Sequence, residues 1–193
     1  MTRPKEYSRE EVLDAATELF WEKGYEGTSM NEMVEQTGLN KHSMYLEFQD
    51  KEGLFLACTD YYFNHATKDL GEILTKEPLG LGNIERFMAN RVEYAATKNC
   101  KGCLLMNSVT EKEVLSDPIN KRIQVLSSRM KTLLYNCLKA AQGKKEISKK
   151  KDIKALADYL FCFLAGLMIM GRSNTDKGAL KKLVDVAFSA MKN

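Results

Sequence analysis

Proline is nearly absent from this chain of 193 residues, occurring only at Pro4, Pro78 and Pro118. Long stretches of Leu, Met, Ala, Lys and Glu therefore run uninterrupted, which favours helix throughout. Strand-like alternation is missing, and no internal repeat is visible. Cys58, Cys100, Cys103, Cys137 and Cys162 are odd in number and fit no disulfide framework, which points to a reducing compartment. The opening MTRPKEYSREE lacks the apolar stretch of a signal peptide. The longest apolar run, Tyr159 to Met170, is shorter than the ~20 residues a bilayer requires. The expectation is a cytoplasmic protein. Histidine is confined to His42 and His65, and G-x-S-x-G, P-loop and H-E-x-x-H patterns are absent, so an enzyme is not expected. Cys100 and Cys103 supply two ligands where zinc usually takes four, so neither a metal nor a cofactor is expected.

Hydrophobic residues make up 44% of the chain, enough for an ordinary buried core, and the net charge is +3. Residues 1–52 carry six basic and twelve acidic side chains, a net −6. A nonspecific polycation is excluded there, and any nucleic-acid contact rests on where a few charges sit. Arg3, Lys5 and Arg9 form a candidate basic arm. The lysines at 144, 145 and 149–151 read as a solvated loop.

Helix signals punctuate the whole chain. Ser8 and Glu11 form a capping box ahead of Val12, Ala16, Leu19 and Phe20, and Gly24 ends that first helix. Ser29 and Glu32 form a second box, opening a short helix that Gly38 breaks. Asn40 is an N-cap for a third helix, with Leu39, Met44 and Phe48 facing inward. A long helix is expected over about 51–74, ending before the Pro78–Gly82 stretch. Others are expected over about 83–98, from after Gly102 to about 115, from Asp117-Pro118 to Gly143, from near Ser148 to 172, and over about 176–192. The fold class is all-α, with about nine helices.

The third helix has only two turns, too few to stand alone in water. Helix, glycine turn, short helix is the helix-turn-helix arrangement, in which the second helix is held by its neighbours and enters the DNA major groove. Ala15-Ala16, Leu19-Phe20, Gly24-Tyr25, Thr28-Ser29, Gly38-Leu39-Asn40-Lys41, Tyr45, Phe48, Lys51-Glu52 and Leu54 follow one another in an ordered pattern. With that spacing, residues from about Arg9 to Leu56 resemble the DNA-binding domain of the TetR family of bacterial transcriptional regulators. The resemblance implies an N-terminal three-helix DNA-binding domain over 1–50 and a C-terminal helical dimerisation and ligand-binding domain over 51–193. It implies that Thr28 and Ser29 touch phosphate, that Lys41, His42 and Ser43 face base edges, and that Tyr45 and Lys51 hold the DNA backbone. Three positions depart from the family pattern: His42 stands where a small residue is usual, Glu47 where an aromatic or histidine is frequent, and Val34 where alanine is usual.

The run Tyr159–Met170 is apolar all round a helix, so one side is expected to pack in its own domain and another against a second copy. The resemblance implies a homodimer through the last two helices, about 152–192, on a near-palindromic operator. It also implies a pocket for a small hydrophobic inducer, for which Phe63, Met88, Asn107 and Met130 are candidates, together with Cys100 and Cys103. Two other readings are open. One is a thiol-based electrophile or oxidant sensor using Cys100 or Cys103, whose reactivity Lys101 and the following helix would raise. The other is a helical adaptor without DNA binding.

Overall fold

The computed structural model describes residues 7–192. Among them the chain forms nine α-helices and no strand: α1 (Arg9–Lys23), α2 (Met30–Thr37), α3 (Lys41–Phe48), α4 (Lys51–Thr75), α5 (Leu81–Ala95), α6 (Leu104–Val109), α7 (Asp117–Gly143), α8 (Ile153–Arg172) and α9 (Lys177–Lys192). The candidate arm residues Arg3 and Lys5 lie outside the described residues; Arg9 opens α1.

α5 is shifted by two to three residues from its expected bounds, and two helices differ more. α6 ends at Val109 rather than near Leu115, because residues 110–115 turn back on themselves through bonds such as Val114 N–H to the Glu111 carbonyl (2.9 Å). α8 starts five residues later than Ser148 suggested. Asp152 takes the cap instead, accepting from the N–H groups of Lys154 (2.8 Å) and Ala155 (3.1 Å).

The chain divides into two compact units, one of residues 1–65 with 104–124 and the other of 66–103 with 125–193. This compactness boundary differs from a cut at 50/51. α4 and α7 each contribute residues to both units, so no single position separates them in sequence. In the first unit, Val12, Ala16 and Phe20 of α1, Met33 of α2, Met44 and Phe48 of α3, and Leu54 and Phe55 of α4 share a core with Leu104, Ile119 and Ile123. Each large apolar side chain buried this way contributes about 1.5–3 kcal/mol. Gly38 ends α2 in the left-handed region at φ 67°, where a side chain would be strained. That reversal brings α3 back onto α1 and α2, and Leu39, Met44 and Phe48 then anchor it, each no more than 5% exposed.

The second unit packs α5 against α8 and α9. Gly171 permits a close approach of α8 to α5, since a Cβ there would lie 2.7 Å from that of Ala95. Buried Asn83 ties α4 to α5 by donating to the carbonyls of Ile73 (2.9 Å) and Lys76 (2.8 Å). Glu146 accepts from the Leu81 N–H (2.7 Å), satisfying one free donor at the start of α5.

Candidate nucleic-acid interface

The solvent face of α3 follows from which residues its core face consumes. With Met44 and Phe48 turned inward, Lys41, His42, Tyr45, Leu46 and Glu47 are exposed and Ser43 is half-buried. Asn40 caps the helix, its side-chain oxygen accepting from the Ser43 N–H at 2.9 Å. Lys51, at the start of α4, sets its ammonium over the ring of Tyr25, 4.4 Å from the centroid, a cation–π contact that limits where the charge can point. Burial raises the pKa of Tyr25, with Glu52, Asp50 and Glu26 adding to the effect, so its ring stays a neutral partner.

Ser29 begins α2 with a complete capping box. Its hydroxyl accepts from the Glu32 N–H (3.2 Å), and the Glu32 carboxylate accepts from the Ser29 N–H (2.8 Å). At α1 only the forward half forms, with Ser8 accepting from Glu11 N–H at 3.4 Å. Lys23 also bonds Glu32 at 2.7 Å. The Lys23 bond and then the bonds to Ser29 hold the Glu32 carboxyl well down, from 4.5 to about 2. A lowered folded value means that the charged carboxylate stabilises the fold fully above its ordinary pKa, and that this contribution drains away as pH falls towards about 2. Thermal melts of the wild type and Glu32→Ala should therefore differ most near neutrality and converge in acid; a constant gap would contradict the assignment.

Thr28 departs from its expected role. It is 2% exposed, and its hydroxyl donates to the Gly24 carbonyl at 2.7 Å. Its side chain closes the α1–α2 turn instead of facing a phosphate. Leu46, which carries no motif signal in the sequence, is 72% exposed on α3. Helical phase alone places it: two residues beyond inward-facing Met44 is the opposite side.

The expected effector residues fall into two groups. Phe63 and Asn107 belong to the first unit; Met88, Met130, Cys100 and Cys103 belong to the second. Phe63, Met88 and Cys100 are buried, while Asn107, Met130 and Cys103 are half-buried. Cys100 sits in the core with Val92, Ala95, Leu167 and Met168 instead of on the surface, so a thiol reagent reaches Cys103 more readily. Burial pushes Cys58 up to about 12 and Cys137 up to about 11, leaving both as inert thiols. An open groove of about 580 Å³ between α5 and α9 has a floor including Val92, Val184 and Phe188 and a rim including Glu85, Glu93, Asp185 and Lys181; none of the six expected residues lines it.

Residues 12–58 match the profile of bacterial regulatory proteins of the tetR family, and residues 80–187 match that of the tetracyclin repressor-like C-terminal domain. The chain belongs to the TetR family. It is similar to the HTH-type transcriptional repressor ComR of Escherichia coli K12, with 31% identity over 98% of this chain and 90% of that protein. It is also similar to the uncharacterized HTH-type regulator YezE of Bacillus subtilis 168, with 26% identity over 99% of this chain and 100% of that one. The fold matches that of CifR, a TetR family regulator solved as a cysteine mutant with 26-base-pair double-strand operator DNA, at TM-score 0.85, 21% identity and coverage of 97% and 99% of the two chains. Reduced NemR of E. coli matches at TM-score 0.83 and 17% identity, over 93% and 94% of the chains. This TetR-family chain is thus a DNA-binding transcriptional regulator, and its relatives are regulators rather than enzymes.

Proposed function

We propose that the protein is a cytoplasmic homodimeric repressor that lays α3 in the major groove of a near-palindromic operator and is released by a small hydrophobic ligand. The observation that carries the DNA-reading part is the division of α3 into two faces. One is sealed against the first unit's core, and the other offers Lys41, His42, Tyr45 and Leu46 outward. A lysine supplies a donor for guanine or for phosphate, histidine and Ser43 exchange hydrogen bonds with base edges, and the exposed leucine suits the methyl group of thymine. Ser29 at the start of α2 and Lys51 at the start of α4 flank that face as backbone contacts. The repressor assignment follows the name of the ComR relative.

Dimerisation is supported by α8. Its 20 residues are apolar enough, at mean hydropathy 1.8, to cross a membrane by length and composition, yet only 22% of the apolar window is buried. The apolar run Tyr159–Met170 is the central and C-terminal part of this longer helix. Ala155, Tyr159, Cys162, Gly166 and Ile169 are all exposed and recur at steps of three and four, forming one outward stripe. Val186 of α9 is 67% exposed. The other side of α8 is already packed against α5 and α9, so the stripe fits a second copy better than a bilayer. The ligand reading draws on the C-terminal family match and on a continuous covalent route, since α4 and α7 carry residues of both units.

The contacts are tested with a duplex enriched from a randomised library by the wild-type protein. Lys51→Ala should weaken binding and flatten its salt dependence by about one ion per subunit. Tyr45→Phe should also weaken it, and Leu46→Ala should relax the preference for thymine at one position per half-site. Anisotropy titrations at several salt concentrations that show Lys51→Ala and Tyr45→Phe unchanged would remove the proposed contact surface.

A further inference from the structure

Glu47 is a carboxylate on the face of α3 that is proposed to meet an anionic duplex, where an unpaired negative charge would oppose binding. It is not unpaired. One oxygen accepts from Nε of Arg9 at 2.8 Å, and the other accepts from the Tyr7 hydroxyl at 3.1 Å. The bond to Glu47 adds to desolvation in raising the pKa of Tyr7, so that hydroxyl keeps its proton and stays a donor. The guanidinium of Arg9 also lies against the Phe48 ring, 5.7 Å from its centroid. Arg9 is therefore gripped on its inner side by a carboxylate and an aromatic face. Its two terminal nitrogens make no hydrogen bond among the described residues, and its side chain is 58% exposed.

We propose that Glu47 is a positioning residue that holds Arg9 as a clamp for a DNA backbone phosphate, so that this carboxylate on the reading helix favours DNA binding despite its charge. With Nε committed to Glu47, the outer edge of the guanidinium presents two parallel N–H donors, the geometry that takes a phosphate bidentately. Tyr7 braces the carboxylate against rotation. The pair spans 38 residues of sequence and ties the first turn of α1 to the last turn of α3. The clamp and the base-reading surface thus move as one body. This inference rests on the reading that α3 faces the duplex.

The sign of one substitution separates this arrangement from its alternatives. The full chain would be titrated with the library-enriched duplex at several salt concentrations, with thermal melts confirming folding. Arg9→Ala should weaken binding about tenfold or more and lower the salt slope by about one per subunit. Glu47→Gln and Glu47→Ala should each weaken binding about three- to tenfold, with a lower slope. The double variant Arg9→Ala/Glu47→Ala should bind no more weakly than Arg9→Ala. Tighter binding by either Glu47 variant would show that the carboxylate opposes DNA or withholds Arg9 from it, and would overturn the proposal. So would additive losses with an unchanged slope, the signature of a merely structural ion pair. Should Lys51→Ala and Tyr45→Phe also leave affinity intact, the α3 reading itself fails; should they weaken binding while Glu47→Gln tightens it, only the clamp does.

Discussion

Ile169→Glu is expected to turn the protein into a monomer. Ile169 is 59% exposed and is the last member of the outward stripe on α8, which a second copy would cover. A glutamate there would be buried in an apolar seam, stripped of water and without a partner charge on the stripe. Light scattering on the eluting peak should give half the wild-type mass. The effect on DNA should be larger than any single contact accounts for. A dimer binds its second half-site intramolecularly, and losing that linkage costs about a hundredfold or more in affinity. Retention of both the dimer and the affinity would show that the stripe is covered by something else.

Phe20→Ala should have the second largest effect, acting through stability. Phe20 is 1% exposed, meets Phe55 edge-on at 4.8 Å between centroids, and stacks near Tyr25 at 6.2 Å. Removing a buried phenyl ring costs about 3–5 kcal/mol, a large share of the about 5–15 kcal/mol that holds a domain folded. The loss falls on the core that seats α3, whose two turns have little stability of their own. Denaturant melts should show a midpoint shift of that size, with DNA binding lost at temperatures the wild type tolerates. A variant that kept its midpoint would mean that Phe20 is not the anchor its burial indicates.

The helices were legible wherever the signal was local. Ser29 with Glu32, Asn40, and Asp117 with Pro118 each marked a boundary within one turn, because a cap is made by residues that are neighbours in sequence. The outward face of α3 was equally readable, since Met44 and Phe48 fix the phase, and Leu46 was available by the same reasoning. Competing local signals blurred the start of α8, where Ser148 and Asp152 both qualify as caps. What stayed hidden was non-local or steric. Glu47 reads as an unfavourable charge until Arg9 and Tyr7 are seen 38 and 40 residues away. Thr28 reads as a phosphate donor until its hydroxyl is found turned to Gly24. Glu111 gave no sign in the sequence that it would accept from the Glu26 N–H at 3.1 Å, stitching the turn after α6 to the loop between α1 and α2. Cys100 reads as a candidate reactive thiol beside Lys101, and only the packing of α5 and α8 around it reveals a core residue.

Methylation interference on the library-enriched duplex bears most directly on the claim that α3 reads the groove twice through a symmetric pair of subunits. Two clusters of guanine N7 positions whose methylation blocks binding are expected, related by two-fold symmetry and separated by at least one helical turn, about 10 base pairs. A single cluster, or interference confined to the minor groove, would contradict it.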